Sequence, residues 1–250
     1  MRYLFSIAVF SFFLIIGFAQ AQEKPSVFML NLADDHVAIT TGFNGTQIKV
    51  FGTKMSKEID PVIVLEGPRR DVVMRRKKRI LGVWLNLEAM TFKEAPALYK
   101  IAAKPGVLEK LGEEVRFKEE LGAAYLRLTP KKKKLRDDYV HFRRALLALK
   151  KEKRFYSDEI GEIKNISDVF YKTSFTLPAN LPRGEYTVRG YAVVDDVIID
   201  QQALTFRVHQ DGIAADILEY AEEKPALYGI IGVLIAIIVG WGATQVLRRD

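Results

Sequence analysis

The chain has 250 residues, carries 38 Lys and Arg against 31 Asp and Glu, and contains no cysteine. Its net charge of +7 is mildly basic, and the lack of cysteine excludes disulfides, thiolate metal sites and cysteine nucleophiles. A chain of this length can bury one substantial hydrophobic core or two small ones.

The N-terminus has the features of a secretory signal peptide. A cation at Arg2 precedes an apolar run from Leu4 to Phe18, and Ala19-Gln20-Ala21 fits the small-x-small cleavage pattern. The apolar run is long for a signal, so an uncleaved anchor is the alternative interpretation. We predict a signal peptide over 1–21 and export of the residues that follow it.

Short apolar or alternating runs from His36 to about Ala103 predict β-strands. The runs are rich in Val, Ile and Thr, and turns containing Gly, Pro, Asn and Asp separate them. Strand-like runs return after Phe170, where a Pro-Gly corner leads into Tyr186 and resembles the tyrosine corner of immunoglobulin-like sandwiches. The prediction is a mainly β fold, with an immunoglobulin-like β-sandwich or two small packed ones.

Between these strands the hydrophobic period becomes helical. The segment 105–122 has one apolar stripe, and the segment 135–155 has a stronger one. Apolar residues of the stronger stripe follow steps of four, three, four and three residues: Leu135, Tyr139, Phe142, Leu146 and Leu149. The opposite side of this predicted helix is basic, with Arg136, Arg143, Arg144, Lys150 and Lys151. We therefore expect a helix that packs on the core and turns a basic face to solvent.

The C-terminus has the features of a membrane-spanning helix. Leu227 to Leu247 is 21 residues without a charge, a helix of about 31 Å at 1.5 Å per residue. Tyr228 and Trp241 lie near its two ends, and Arg248-Arg249 follow, which favours a cytosolic C-terminus. A buried core helix is the alternative, but such a helix normally has a polar face.

These elements divide the chain into consecutive segments. They are a signal peptide (1–21), sandwich strands (22–103), a helical insertion (104–165), strands completing the sandwich (166–210), a stalk (211–226), a transmembrane helix (227–247) and a cytosolic tail (248–250).

Small residues recur every four positions within the predicted span, at Gly232, Ala236 and Gly240. A stripe of small residues lets another membrane helix approach closely, so these residues are candidates for helix docking. Glycine and alanine are also common where a membrane helix simply faces lipid. Both interpretations stay open.

No catalytic motif is present in the sequence. His36, His141 and His209 have no partners at metal-ligand spacing, and Asp34-Asp35-His36 is either a cation site or a turn that enters a strand. The sequence has no Gly-x-Ser-x-Gly elbow and no phosphate-binding glycine loop. We predict a protein that is not an enzyme and uses no cofactor or metal.

A run of five cations, Arg75, Arg76, Lys77, Lys78 and Arg79, lies between two apolar runs. Export separates it from chromosomal DNA, so nucleic-acid binding is not expected. Three interpretations remain: a solvated loop, attraction to anionic lipid headgroups, and contact with an acidic partner or an inorganic anion. The flanking runs predict a hairpin with Lys77 and Lys78 at or near its turn and Trp84 as a packing anchor.

Several segments together resemble one known family. They are VFG at 50–52, EGP at 66–68, MRRKKRILGVWLN, APALY at 95–99, LPRGEY and the terminal ALYGIIGVLIAIIVGWGATQVLRR. This pattern resembles the Alph_Pro_TM family of alphaproteobacterial transmembrane proteins across nearly the whole mature chain. The family's basic run with Gly-x-Trp-x-Asn matches Arg75, Arg76, Lys77, Arg79, Gly82, Trp84 and Asn86, and its C-terminal pattern matches Tyr228, Gly229, Gly240 and Trp241. The lysines at 131–134 depart from the family pattern.

The resemblance implies an exported domain held by one C-terminal helix in a Gram-negative inner membrane, and it brings no catalytic residues. It also implies that the gene for this protein lies beside genes for TauE/SafE-type sulfite or organosulfonate exporters. Two hypotheses follow: an accessory or assembly partner of another membrane protein such as an exporter, and a periplasmic module that presents an oxyanion to an exporter. A membrane-anchored enzyme is a third and more remote alternative.

Overall fold

The computed structural model describes residues 26–80, 82–132, 135–212, 217 and 220–247. The predicted signal peptide, the predicted cytosolic tail and most of 213–219 lie outside these residues. The described residues form a mainly β structure with one long apolar helix at the C-terminus, which confirms the predicted fold class.

The strands in chain order are β1 (Phe28–Leu32), β2 (His36–Ile39), β3 (Thr46–Lys54), β4 (Asp60–Glu66), β5 (Arg69–Ile80), β6 (Val83–Pro96), β7 (Tyr99–Ala103), β8 (Thr129–Pro130), β9 (Lys164–Asn165), β10 (Phe170–Leu177), β11 (Gly184–Val194) and β12 (Val197–Gln210). The helices are α1 (Val107–Lys110), α2 (Glu113–Lys118), α3 (Arg136–Glu152) and α4 (Pro225–Leu247), with a 3₁₀ turn at Ala123–Tyr125.

Two sheets form the centre of the β domain, which we define as residues 26–212. One has the order β1-β3-β10-β9 and the other β2-β12-β11-β4-β7. The sheets approach closely, because the backbone of Leu30 donates to the Gln202 side chain at 2.9 Å and the Phe28 ring lies against Gly190. Their facing side chains build one hydrophobic cluster. This arrangement is consistent with the predicted immunoglobulin-like sandwich.

The sequence pattern of each strand agrees with the burial of its side chains. In β10, FYKTSFTL, every second side chain is buried, as period-2 alternation predicts. In β4, DPVIVLE, six consecutive residues are buried because the strand lies inside its sheet and is covered on both faces. The predicted corner is also present, since the Tyr186 hydroxyl donates to the Pro182 carbonyl at 2.7 Å.

A third sheet, in the order β5-β6-β8, contains the long β5–β6 hairpin. We predicted β5 and β6 among the sandwich strands, but they pair with each other and with β8. The hairpin turn also lies later than predicted. Lys77 pairs with Asn86 inside the ladder, and the turn follows Ile80, where Gly82 has φ 85°. Glycine adopts this backbone conformation without the steric cost that a lysine would meet.

The stripe predicted for α3 is confirmed in its middle. Phe142 and Leu146 are buried at 3% and 0% exposure, whereas Leu135 and Leu149 at the helix ends are exposed. The predicted basic outer face is only partly correct. Arg143 donates to the carbonyl of Ala124, and Lys150 donates to the carbonyls of Pro96 and Ala97, because these long side chains reach past the apolar stripe to backbone oxygens.

Candidate docking surfaces

Strand alternation divides the predicted run of five cations between two faces of β5. Arg75, Lys77 and Arg79 are exposed, and we call these three residues the cation row. Arg76 points to the opposite face, where it pairs with Glu88 at 3.1 Å and its guanidinium lies 5.5 Å from the centre of the Phe142 ring. The side chain of Lys78 lies outside the described residues.

The cation row has no carboxylate within salt-bridge distance among the described residues. Alternate residues on a strand are about 6.6 Å apart, so the three charges form a line of about 13 Å. The Arg79 side chain is steadied by a 3.2 Å hydrogen bond from Nε to the Gly82 carbonyl. Uncompensated charge spread over this length matches an extended acidic surface better than one small anion.

The base of the hairpin is packed against the rest of the β domain. Met90 and Phe92 of β6 are buried, and the Phe92 ring lies 6.2 Å from the Tyr139 ring on α3. A register shift follows Arg76, where β6 carries one more residue than β5 and the ladder is locally interrupted. The hairpin therefore presents the cation row from a fixed base. The side chain of Trp84, predicted as a packing anchor, lies outside the described residues.

A buried set of ion pairs lies elsewhere in the β domain. We call it the ion cluster and define it as Glu66, Arg69, Glu120, Arg127 and Arg189. Both carboxylates are buried, at 7% and 2% exposure, while the guanidinium groups surround them. Arg69 contacts both carboxylates, which joins β4 and β5 to the loop that follows α2.

Glu120 is the most constrained member of the ion cluster. Its φ of 55° is in the left-handed region, its carboxylate lies 2.5 Å from the Arg69 guanidinium, and it accepts the backbone N–H of Arg127 at 2.8 Å. Burial alone would raise the pKa of this carboxyl, but the bonds from Arg127 and Arg69 outweigh burial and lower it. Glu120 is therefore ionised at neutral pH and fastens its loop to the sheet.

Tyr99 completes the fastening of this loop. Its buried hydroxyl donates to the Glu120 carbonyl at 2.5 Å and accepts the Gly122 N–H at 2.7 Å. Burial raises the pKa of Tyr99, and it raises the pKa of nearby Tyr191 to about 12, so both hydroxyls stay protonated at neutral pH. The ion cluster therefore has a structural role, because it holds the loop that follows α2 against the sheet.

The C-terminal helix α4 contains one candidate membrane span, Pro225–Ala243, with a mean hydropathy of 2.2 and none of its residues buried. The whole helix is 23 residues, about 35 Å, long enough for a bilayer core. Within the described part of the chain, nothing lies within 4 Å of a Cβ placed on Gly232 or Gly240. The small-residue stripe is thus open, and its role in helix docking remains a prediction.

Comparison with protein families gives a match over most of the chain. The family model of Alph_Pro_TM, described as "Putative transmembrane protein", covers residues 27–249. The chain belongs to the Alph_Pro_TM family. A search of the curated proteins finds no match. Together with α4, the family assignment identifies a membrane protein with one candidate C-terminal span.

The segments that resemble Alph_Pro_TM contain residues that connect different strands and loops of the β domain. VFG places Gly52 under the Tyr171 hydroxyl, and EGP supplies Glu66 of the ion cluster. APALY ends at Tyr99, and LPRGEY contains the Pro182–Tyr186 corner. Sequence reasoning missed the ion cluster, although EGP and APALY were the signal that could have pointed to it.

Histidine and carboxylate side chains do not form a metal site in the described residues, since no three or more of them converge. His36 and His209 have ring centres 5.7 Å apart on neighbouring strands. A 2.7 Å hydrogen bond between His36 Nδ1 and the Asp35 carboxylate raises the pKa of His36. The absence of a metal from this Alph_Pro_TM protein stays a prediction.

Proposed function

We propose that this chain is a non-enzymatic accessory or assembly partner of another membrane protein. The observation that carries the proposal is the cation row, three exposed charges on a hairpin with a packed base, in a chain whose described residues include one candidate membrane helix. Such a row recognises acidic surfaces by charge complementarity, which favours correct pairing and fast association. An exporter of the TauE/SafE type is the partner class that the family resemblance favours.

The proposed location is a bacterial inner membrane, with the β domain in the periplasm and the C-terminus in the cytosol. The signal-like N-terminus and Arg248-Arg249 after the span support this orientation. The stripe of Gly232, Ala236 and Gly240 would then contact the partner within the bilayer, while the cation row contacts it outside.

Reversing the charges of the cation row is expected to reduce contact with the partner by about tenfold or more. Arg75→Glu, Lys77→Glu and Arg79→Glu together convert attraction into repulsion, and each exposed ion pair contributes up to about 1 kcal/mol. The measurement is the yield of crosslinks in intact membranes from a photoreactive residue at Val73, an exposed position on the same face of β5.

The matched control carries Lys49→Glu, Lys118→Glu and Lys172→Glu, three exposed cations on other elements, with the same change in net charge. An equal loss of crosslinks in the control, or full yield in the hairpin variant, would contradict a role for the cation row. Crosslinks formed mainly to anionic lipid would assign the row to the membrane surface instead.

Calorimetry of the full-length protein with sulfite and sulfate addresses the oxyanion hypothesis. The accessory role predicts no micromolar binding, because the three charges are exposed and spread over about 13 Å. Micromolar binding that the hairpin variant loses would replace the accessory role with an oxyanion-presenting module.

Bulky residues on the small-residue stripe are expected to abolish recovery of the partner from membranes. Gly232→Ile with Gly240→Ile would block close approach of a second helix while α4 remains apolar. Co-purification with the mildest detergent that extracts the protein is the measurement. Gly242→Ile is the control, because it makes the same change about 120° around the helix from Ala236. Unchanged recovery in the double variant means that the stripe faces lipid.

A further inference from the structure

A groove of about 830 Å³ runs beside α3, opposite the segment 124–130. Val140 and Leu147 of α3 line one side, Leu126 and Leu128 line the other, and Phe117 of α2 lies at one end. Val140 and Phe117 are 44% and 57% exposed, so the groove presents apolar surface to solvent.

The charged residues that line this groove all have the same sign. They are Arg127, Arg143, Arg144 and Lys151, and no aspartate or glutamate of the described residues lines it. Arg143 is held at the edge by hydrogen bonds to the carbonyls of Ala124 (2.6 Å) and Leu126 (3.4 Å). Arg127 and Lys151 reach carboxylates outside the groove, on Glu120 and Asp158, whereas Arg144 has no carboxylate partner among the described residues.

We propose that this groove binds an acidic amphipathic helix of the partner protein. The inference rests on the proposed accessory function and names the chemistry of a second contact. An apolar floor with a cationic edge is complementary to a helix whose apolar stripe is flanked by Asp and Glu.

The shape of the groove agrees with a helix as the occupant. The α3 residues that line it run from Tyr139 to Lys151, which corresponds to about 18 Å or three helical turns. Side chains spaced by three and four residues along these turns form the ridges into which a second helix packs.

The test uses the full-length protein in nanodiscs of neutral phosphatidylcholine and two fluorescent peptides. One peptide has leucines at helical i, i+3, i+4 and i+7 spacing with glutamates elsewhere, and its twin has lysines in place of the glutamates. Fluorescence anisotropy is expected to give saturable binding of the acidic peptide only. Equal binding of both peptides, or binding of neither, would overturn the proposal.

Arg144→Glu is expected to weaken binding of the acidic peptide by about tenfold. Arg136→Glu is the matched control, because Arg136 is also an exposed arginine of α3 but does not line the groove. Arg136→Glu should change the affinity by less than about twofold. Equal effects of the two substitutions would reduce the interaction to general charge attraction and overturn the groove as the site.

Val140→Asp supplies an independent variant that acts on the apolar floor, and it should also weaken binding while the thermal unfolding of the β domain is preserved.

A photoreactive phosphatidylglycerol that crosslinks at position 140, with no competition from the acidic peptide, would assign the groove to lipid and overturn the proposal. Absence of acidic-peptide binding to the wild-type protein, with crosslinks that are still lost on charge reversal of the cation row, would refute only this inference. Full crosslink yield in the charge-reversed hairpin variant, with intact peptide binding, would refute only the proposed role of the cation row.

Discussion

Replacing Gly52 with alanine is expected to destabilise the β domain by about 3 kcal/mol or more. Gly52 is on β3, between β1 and β10, and the Tyr171 side chain of β10 passes over it to donate to the Met29 carbonyl of β1 at 2.8 Å. A Cβ at Gly52 would be 2.0 Å from the Met29 carbonyl oxygen and 2.2 Å from the Tyr171 hydroxyl. Backbone on one side and a buried ring on the other leave no space for a methyl group.

The measurement is thermal and denaturant unfolding of the full-length protein in detergent, followed by near-UV circular dichroism. Gly42→Ala is the matched control, because no atom of the described residues lies within 4 Å of its Cβ position, and it should stay within about 0.5 kcal/mol of wild type. Tyr171→Phe should cost about 1 kcal/mol through the lost hydrogen bond. It should not rescue Gly52→Ala, because the Met29 carbonyl still blocks the methyl. If Gly52→Ala leaves the free energy of unfolding unchanged, β1 separates from β3 at little cost.

Glu120→Gln is expected to lower the free energy of unfolding by about 2–3 kcal/mol. Breaking a buried ion pair by removing one partner costs about 3–5 kcal/mol. The loss here is smaller because the two guanidinium groups left behind, Arg69 and Arg127, are 34% and 58% exposed and regain contact with water. Glu162→Gln, at an exposed pair with Lys164, is the control and should change stability by less than about 0.5 kcal/mol.

Glu120→Gln should also make the free energy of unfolding depend less steeply on pH in the acidic range. The pKa of Glu120 is lower in the folded protein than its ordinary value of 4.5. Its contribution is therefore fully present above pH 4.5 and is lost as the pH falls through the folded value. The wild-type protein should lose more stability than Glu120→Gln over this range. Parallel profiles for the two proteins would show that the carboxylate does not contribute to folding.

Glu120→Ala and Glu120→Gly separate the side chain from the backbone at this position. Both remove the carboxylate, but glycine accepts φ 55° without the steric cost of a Cβ. Glycine should therefore be about 1 kcal/mol less destabilising than alanine. The opposite order would indicate that the loop moves out of its left-handed conformation when the ion pairs are lost.

Much of the fold follows from local pattern. Uncharged length alone predicts α4, and alternation predicts β10. The period of α3 correctly places Phe142 and Leu146 in the core. These features depend on residues close in sequence, so a single sequence contains them.

The ion cluster could not be predicted in the same way. Arg69 meets Glu120 across 51 residues and Arg189 meets Glu66 across 123, and no periodicity links such distant partners. The hairpin shows a second limit of prediction from sequence. Five adjacent cations suggest one patch, but strand alternation directs Arg76 to the opposite face from Arg75, where it pairs with Glu88.

The position of β12 determines how the domain would bear mechanical load. β12 is the strand that leads towards α4, and it is interior to its sheet, with β11 on one side and β2 parallel to its last four residues on the other. Ladder hydrogen bonds are roughly transverse to the strands. A pull along β12 would therefore load the bonds on both sides of the strand in shear, instead of unzipping them one by one. The chain thus leaves the β domain from an interior strand and not from an edge of the sheet.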